Sequence, residues 1–268
     1  RVVSCTRGEQ IVNNPLESRG TGVQQDSSGA ASNRPHTQGR HEVAPMSNSG
    51  RMVHRSIRKV VSLLARSYFR LSVHGTDRIP IDGPYLVIGV HRSNLDVFLI
   101  GAALPSEQIL RCMAKESLWQ HAWMGSFLEK MGSFPVSRGQ ADRAALRCCE
   151  QALAHGDLLL MFPEGTRMSG PLITEVHEGP AWIACRYRVP VLPVALGGTE
   201  QALPPGAKFP RRVRVSVVIG EPIYPEVPLE GRVPRHSVTE LSERMTVDLQ
   251  RSFTAASSHS LNSSGQAG

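Results

Sequence analysis

The stretch "PYLVIGVHRSNLDVFLIGAAL", Pro84–Leu104, joins two apolar runs of different character across the polar segment "HRSNLD". "PYLVIGV" has strand-like composition, and "VFLIGAAL" is an apolar run long enough to begin a helix. Between them, Ser93-x-x-Asp96 fits a capping box, in which Ser93 caps the helix and the acidic residue returns a hydrogen bond to the cap. A strand leading through a short loop into a helix is the repeating unit of an α/β sheet.

The alternation continues along the chain. Strand-like runs fall at about 85–90, 108–114, 157–162, 191–196 and 212–219, and helical runs at about 52–72, 95–104, 117–131, 140–155, 177–187 and 237–253. This order predicts an α/β domain with a mostly parallel central sheet flanked by helices and preceded by an amphipathic helix. Residues 1–50 are rich in Ser, Gly, Asn and Gln and lack a periodic apolar pattern, so they read as a disordered segment. Residues 51–254 form the expected domain, and 255–268, "AASSHSLNSSGQAG", read as a second disordered tail. The chain opens on Arg1, with Met46 and Met52 just before the first patterned segment, which suggests a fragment or a start assigned too early.

With 268 residues and 40% hydrophobic content the chain can fill a sizeable core. A net charge of +7 points to anionic partners such as membrane surfaces, phosphorylated ligands or nucleic acid. Nucleic acid is disfavoured, because no helix-turn-helix, zinc-finger or aromatic RNA-binding signature accompanies the arginines. No apolar segment approaches the ~20 residues that cross a bilayer, and the N-terminal residues lack the apolar core of a signal peptide. Cys5, Cys112, Cys148, Cys149 and Cys185 have neither framework nor Cys-x-x-Cys spacing, and read as reduced thiols of a cytosolic protein.

His91 and Asp96 are five positions apart, so on one continuous helix they would be separated by about 140° and would not share a face. They can meet only if His91 ends the strand and Asp96 lies in the first helical turn. An imidazole oriented there by a carboxylate could accept a proton from a substrate hydroxyl. Capping and chemistry remain compatible, since a carboxylate can serve a backbone N–H and an imidazole together. In "LLLMFPEGTR" a buried strand ends at Phe162-Pro163 and is followed by Glu164, Gly165, Thr166 and Arg167. Ligands usually bind at such strand ends: Gly165 permits close backbone approach, and Arg167 offers a planar fork to a phosphate. Glu164 could pair with an arginine or a ligand hydroxyl, and the plain alternative is a turn with a surface Glu164–Arg167 pair. "GSFPVSRG" carries Arg138 between Gly132 and Gly139, Lys115 ends "LRCMAK", and "VPVLPVAL" is a Pro-punctuated strand.

Two helical runs bear on lipids. In "MVHRSIRKVVSLLARSYFRL", Val53, Ile57, Val60, Val61, Leu64 and Tyr68 form one stripe, and Arg55, Arg58, Lys59, Arg66 and Arg70 occupy the remainder. Such a helix can lie in a membrane interface or pack on its own domain. In "SLWQHAWMGSFLEKMG", Trp119, Trp123 and Phe127 recur every four residues, a stripe that belongs to a core or, where the substrate carries an acyl chain, to a lipid contact.

Taken in order, "HRSNLD", "GSFPVSR", "FPEGTR" and "VPVLPVA" resemble the four motif blocks of the glycerolipid acyltransferases, particularly the lysophosphatidic acid acyltransferases, over about residues 52–253. The resemblance implies that His91 is a general base oriented by Asp96. The base would deprotonate a lysophosphatidate hydroxyl, which attacks the thioester of acyl-CoA or acyl carrier protein and gives phosphatidate. It implies no metal, cofactor or acyl-enzyme. It assigns the acceptor's phosphate to Arg138, Glu164, Gly165, Thr166 and Arg167, with Lys115 as an addition. It also makes the first helix and the Trp-bearing helix membrane-associated, on the cytoplasmic face, with acyl carrier protein as a further partner. Val90 and "VHEGPA", with His177 and Glu178 before Gly179, depart from the usual pattern and leave open an acceptor other than lysophosphatidate. A thioester hydrolase using the same pair and a non-catalytic anionic-lipid binder are the rival readings.

Overall fold

In the computed structural model, which describes residues 43–136 and 143–262, the central strands are apolar at every position because helices cover both faces of the sheet. The strands are β1 (Ser72–His74), β2 (Leu86–Gly89), β3 (Leu110–Lys115), β4 (Ser133–Val136), β5 (Leu158–Met161), β6 (Val191–Gly197) and β7 (Ser216–Ile219). They form one sheet in the order β1-β7-β6-β2-β5-β3-β4. All pairings are parallel except β6 with β7, where Val194 faces Ile219 and Gly197 faces Ser216. The mostly parallel α/β architecture is as the alternation predicts.

The helices are α1 (Asn48–Tyr68), α2 (Asp96–Ala103), α3 (Ala122–Lys130), α4 (Arg143–Ala154), α5 (Gly179–Tyr187), α6 (Thr199–Ala202) and α7 (Arg235–Asn262). On one face, α1 and α2 pack through Ala65, Leu99 and Ile100 onto Val87, Leu160 and Leu192. On the other, α4, α5 and α7 pack through Cys149, Ala152, Ile183 and Leu249 onto Leu86, Ile88 and Leu159. The chain leaves β2 toward the first face and β5 toward the second. The crevice beyond the carboxyl ends of these two neighbouring strands is therefore a topological switch point, where open sheets of this kind hold ligands.

Several boundaries differ from the sequence reading. The domain begins before residue 51: Val43 is 4% exposed, its N–H donates to Gln151 Oε1, and Ser47 Oγ caps α1 by accepting from the Gly50 N–H. Residues 255–262 are not a tail but the last turns of α7, where Ala256 is fully buried. Two of the Ser residues that suggested disorder spend their hydroxyls inside the helix, Ser258 on Thr254 O and Ser260 on Ser257 O. β1 and β4 are additional short strands at the two edges of the sheet. The expected helix 117–131 is broken at His121, whose backbone is extended (φ −101°, ψ 114°), into a 3-10 turn, Glu116–Gln120, and α3. The break folds Trp119 back over Gly125, where a Cβ would stand 2.7 Å from its ring, and Trp119 Nε1 donates to Glu129 Oε1. Trp123 is 69% exposed, so the tryptophans do not form one core stripe.

The helix α1 buries part of its polar edge and exposes much of its apolar stripe. It buries His54, Arg58 and Ala65 and leaves Met52, Val60, Leu63, Leu64 and Tyr68 exposed. Arg58 donates to the carbonyls of Gly101, Leu104 and Gln108, and Ser62 to that of Ala102, so α1 closes the carboxyl end of α2. Helix ends leave such carbonyls without intrahelical partners, and a cation there is favoured by the helix dipole. Burial pushes the Arg58 guanidinium down to about 10, which still leaves it charged at neutral pH. His54 does the same service at α3, pairing its Nδ1 with Lys130 O at 3.1 Å. Among the described residues no helix is long and apolar enough to cross a membrane. Cys112, Cys148, Cys149 and Cys185 are buried and are not joined in disulfides among the described residues, while Cys5 lies outside them.

Candidate active site

The β2–α2 loop brings His91 and Asp96 together as the spacing required. His91 follows β2, Asp96 is the first residue of α2, and Nδ1 lies 3.0 Å from Asp96 Oδ2. The same oxygen accepts the backbone N–H groups of Arg92 (2.7 Å) and Ser93 (2.6 Å). These two bonds fold the loop around the carboxylate, which is fully buried. Half of the anticipated capping box is therefore present. Asp96 answers the Ser93 N–H, but Ser93 Oγ accepts from Leu95 N at 3.3 Å, one residue short of the box. The carboxylate does not divide its work between its oxygens either: Oδ1 is buried and has no hydrogen-bond partner among the described residues. With Nδ1 held by a buried acceptor, Nε2 is the imidazole nitrogen available to take up a proton. The ring is 13% exposed and stacks on Phe162 at 4.2 Å between centroids.

The loop after β5 is laced to the first. Glu164 Oε2 accepts the His91 backbone N–H at 2.9 Å, and Met168 N–H donates to His91 O at 2.9 Å. Glu164 Oε1 takes Arg92 Nη1 at 2.6 Å, with both side chains about 2% exposed or less. Arg92 is further held by Gly170 O, Leu172 O and His91 O, and its guanidinium lies 4.9 Å from the centre of the Phe253 ring. Both oxygens of Glu164 are thus spent inside the protein. A buried carboxylate paired with an internal arginine in this way holds the two loops in register. Arg92, read from sequence only as part of a turn, is the residue that reasoning missed. Its partner is 72 residues away, so no local pattern could have announced it.

Gly165, Thr166 and Arg167 are exposed on the same loop. Gly165 has φ +68°, a conformation that favours glycine, and a Cβ there would come within 3.0 Å of the His177 ring. His177 is tied to the loop by its N–H, which donates to Pro163 O. Lys115 is exposed at the carboxyl end of β3, on the strand beside β5 and on the same rim of the sheet. Arg138 lies outside the described residues. The structure therefore gathers His91, Asp96 and the loop 164–167 at the β2/β5 crevice, with Lys115 one strand further along. Among the described residues no group of His, Cys, Asp and Glu has the arrangement of a metal site.

Comparisons with known proteins match the chain to acyltransferases. The family model described as "Acyltransferase" matches residues 70–197, which contain both loops. A 1-acyl-sn-glycerol-3-phosphate acyltransferase of Bacillus subtilis is 29% identical over 58% of this chain and 74% of its own length. A chloroplastic protein of the same description from Brassica napus is 28% identical over 65% of this chain but only 51% of its own length. The chain thus spans about half the length of that plant relative. The crystal structure of the 1-acyl-sn-glycerophosphate (LPA) acyltransferase PlsC from Thermotoga maritima superposes with a TM-score of 0.58 at 26% identity, covering 74% of this chain and 81% of that one.

Proposed function

The chain belongs to the acyltransferase family, and from that premise we propose that it moves a fatty acyl group from a thioester to the free hydroxyl of lysophosphatidate, giving phosphatidate. The observation that carries the mechanism is the gathering of the His91 Nδ1 and two backbone N–H groups on one buried oxygen of Asp96. This arrangement fixes the ring, points its proton-free nitrogen away from the carboxylate and favours the imidazolium formed in the reaction. His91 Nε2 takes the hydroxyl proton as the oxygen attacks the thioester carbonyl. The C–O bond forms, the C–S bond breaks, and the proton passes to the departing thiolate. Arg167, with Gly165 and Thr166, holds the acceptor's phosphate; Arg138 and Lys115 are assigned to it by resemblance and strand-end position. Glu164 and Arg92 position His91 without touching substrate. The donor is acyl-CoA or acyl carrier protein.

We further propose peripheral attachment to the cytoplasmic face of a membrane. Support comes from α1, which docks through His54, Arg58 and Ala65, keeps Ile57 and Val61 half-buried, and leaves Val53, Val60, Leu64 and Tyr68 of its apolar stripe in solvent beside exposed Arg55, Lys59 and Arg66. Exposed Trp123 on α3, a helix that α1 contacts, adds to that surface. The deciding experiment is an acyl-transfer assay with purified protein across a panel of lysolipids, using CoA and carrier-protein donors. Transfer to lysophosphatidate should exceed transfer to neutral lysolipids, and His91→Ala should abolish it with the unfolding midpoint unchanged. Thiol release that ignores the acceptor would instead identify a hydrolase, and a fully active His91→Ala enzyme would sink the mechanism.

A further inference from the structure

Between α6 and β7 the chain runs through a surface loop, 203–215, whose middle reads "KFPRR", Lys208–Arg212. Phe209 is 82% exposed, and Lys208, Arg211 and Arg212 around it are exposed as well. A single exposed apolar side chain is ordinary on a protein surface. What distinguishes Phe209 is its place. Tyr68, which ends the exposed stripe of α1, donates its hydroxyl to Pro210 O at 2.9 Å, so the loop's tip continues the surface of that helix. The loop's base is fixed by the Arg211 N–H, which donates to Ala202 O at 2.7 Å.

We propose that loop 203–215 is a second lipid contact, with Phe209 entering the boundary between head groups and acyl chains while Lys208, Arg211 and Arg212 pair with anionic head groups. An aromatic ring ringed by cations matches that boundary, where apolar burial and head-group charge act together. An acidic protein would satisfy the cations but would give no reason for a bare ring continuous with an apolar helix stripe. The proposal rests on the reading of α1 as lipid-facing and adds to it a preference for anionic membranes.

The test is co-sedimentation of the full chain with vesicles of phosphatidylcholine alone or mixed with phosphatidylglycerol. Replacing Lys208, Arg211 and Arg212 together by Ala should weaken partitioning to the mixed vesicles by about fivefold per cation, on the order of a hundredfold in all, and leave binding to phosphatidylcholine as it was. Phe209→Ala should weaken binding to both. Wild-type partitioning of the triple variant to mixed vesicles would overturn the proposal, as would an effect seen only as a poorer carrier-protein donor. A Val60→Glu, Leu64→Glu variant that still binds vesicles normally would overturn the separate reading of α1. All of these positions are exposed, so an unchanged unfolding midpoint serves as the control for folding.

Discussion

Replacing Glu164 by Gln separates its two possible roles. In the structure one carboxylate oxygen faces Arg92 Nη1 at 2.6 Å and the other faces the His91 N–H at 2.9 Å. An amide has one oxygen and one NH2, so one of these donors must confront another donor. Turning the oxygen to Arg92 is the cheaper arrangement. It leaves a buried backbone N–H without an acceptor, at about 1–3 kcal/mol, where the opposite orientation strips a buried guanidinium of its counter-charge, at about 3–5 kcal/mol. The charge is lost either way, though the carbonyls of Gly170, Leu172 and His91 still hold Arg92. A destabilisation of roughly 3 kcal/mol is expected, equivalent to about 10 °C in the unfolding midpoint of a domain this size. Because His91 loses a backbone tether, kcat should fall while KM for the acceptor stays at the wild-type value. Thermal unfolding and steady-state kinetics on the same preparation make the measurement. A Glu164→Gln protein with a wild-type midpoint and a raised acceptor KM would refute the reasoning and return Glu164 to the substrate.

Arg167→Ala should raise the acceptor KM about tenfold or more for a phosphorylated lysolipid and leave it unchanged for a neutral one, because only a charge-assisted bond to phosphate is removed. Equal effects on both acceptors would count against that role. The pH dependence of stability should carry a signature of His54. Burial lowers its pKa from the usual 6.5, opposed by its bond to Lys130 O and reinforced by Arg58, so as pH falls below 6.5 the unfolded chain takes up this proton first and stability drops. The ring's Nε2 is buried without a partner among the described residues and gains nothing from the proton. Unfolding midpoints of wild type and His54→Gln measured between pH 7 and 5 should therefore diverge, the wild type losing more, and parallel curves would refute the assignment.

The parts legible in the sequence are those whose side chains answer to one environment. β2, β5 and β6 are buried on both faces, and their unbroken apolar runs announce them. β1 is three residues long and β4 contains Pro135, as edge strands tolerate, and neither has enough pattern to be seen. The His91–Asp96 pair was legible because spacing and capping constrain it within six residues. Its true anchor, the use of one Asp96 oxygen by three donors, depends on loop geometry that spacing does not specify. The Glu164–Arg92 pair was illegible for a different reason: each residue reads as a surface charge until the fold brings the two loops together. The periodicity of α1 showed an apolar stripe but not that the polar edge would be the buried one.

Arg58 gives that last point a further consequence. The eight-residue helix α2 carries Asp96 at its first position and depends on Arg58 for the carbonyls of its final turn. The segment proposed to meet lipid is therefore also the stopper of the helix that aims the Asp96 carboxylate at His91. Cutting α1 away would uncork α2, whatever it did to lipid binding. If α1 is the lipid-facing segment proposed above, surface attachment and the alignment of the His91–Asp96 pair are two ends of one short lever, and a change made for either is felt by both.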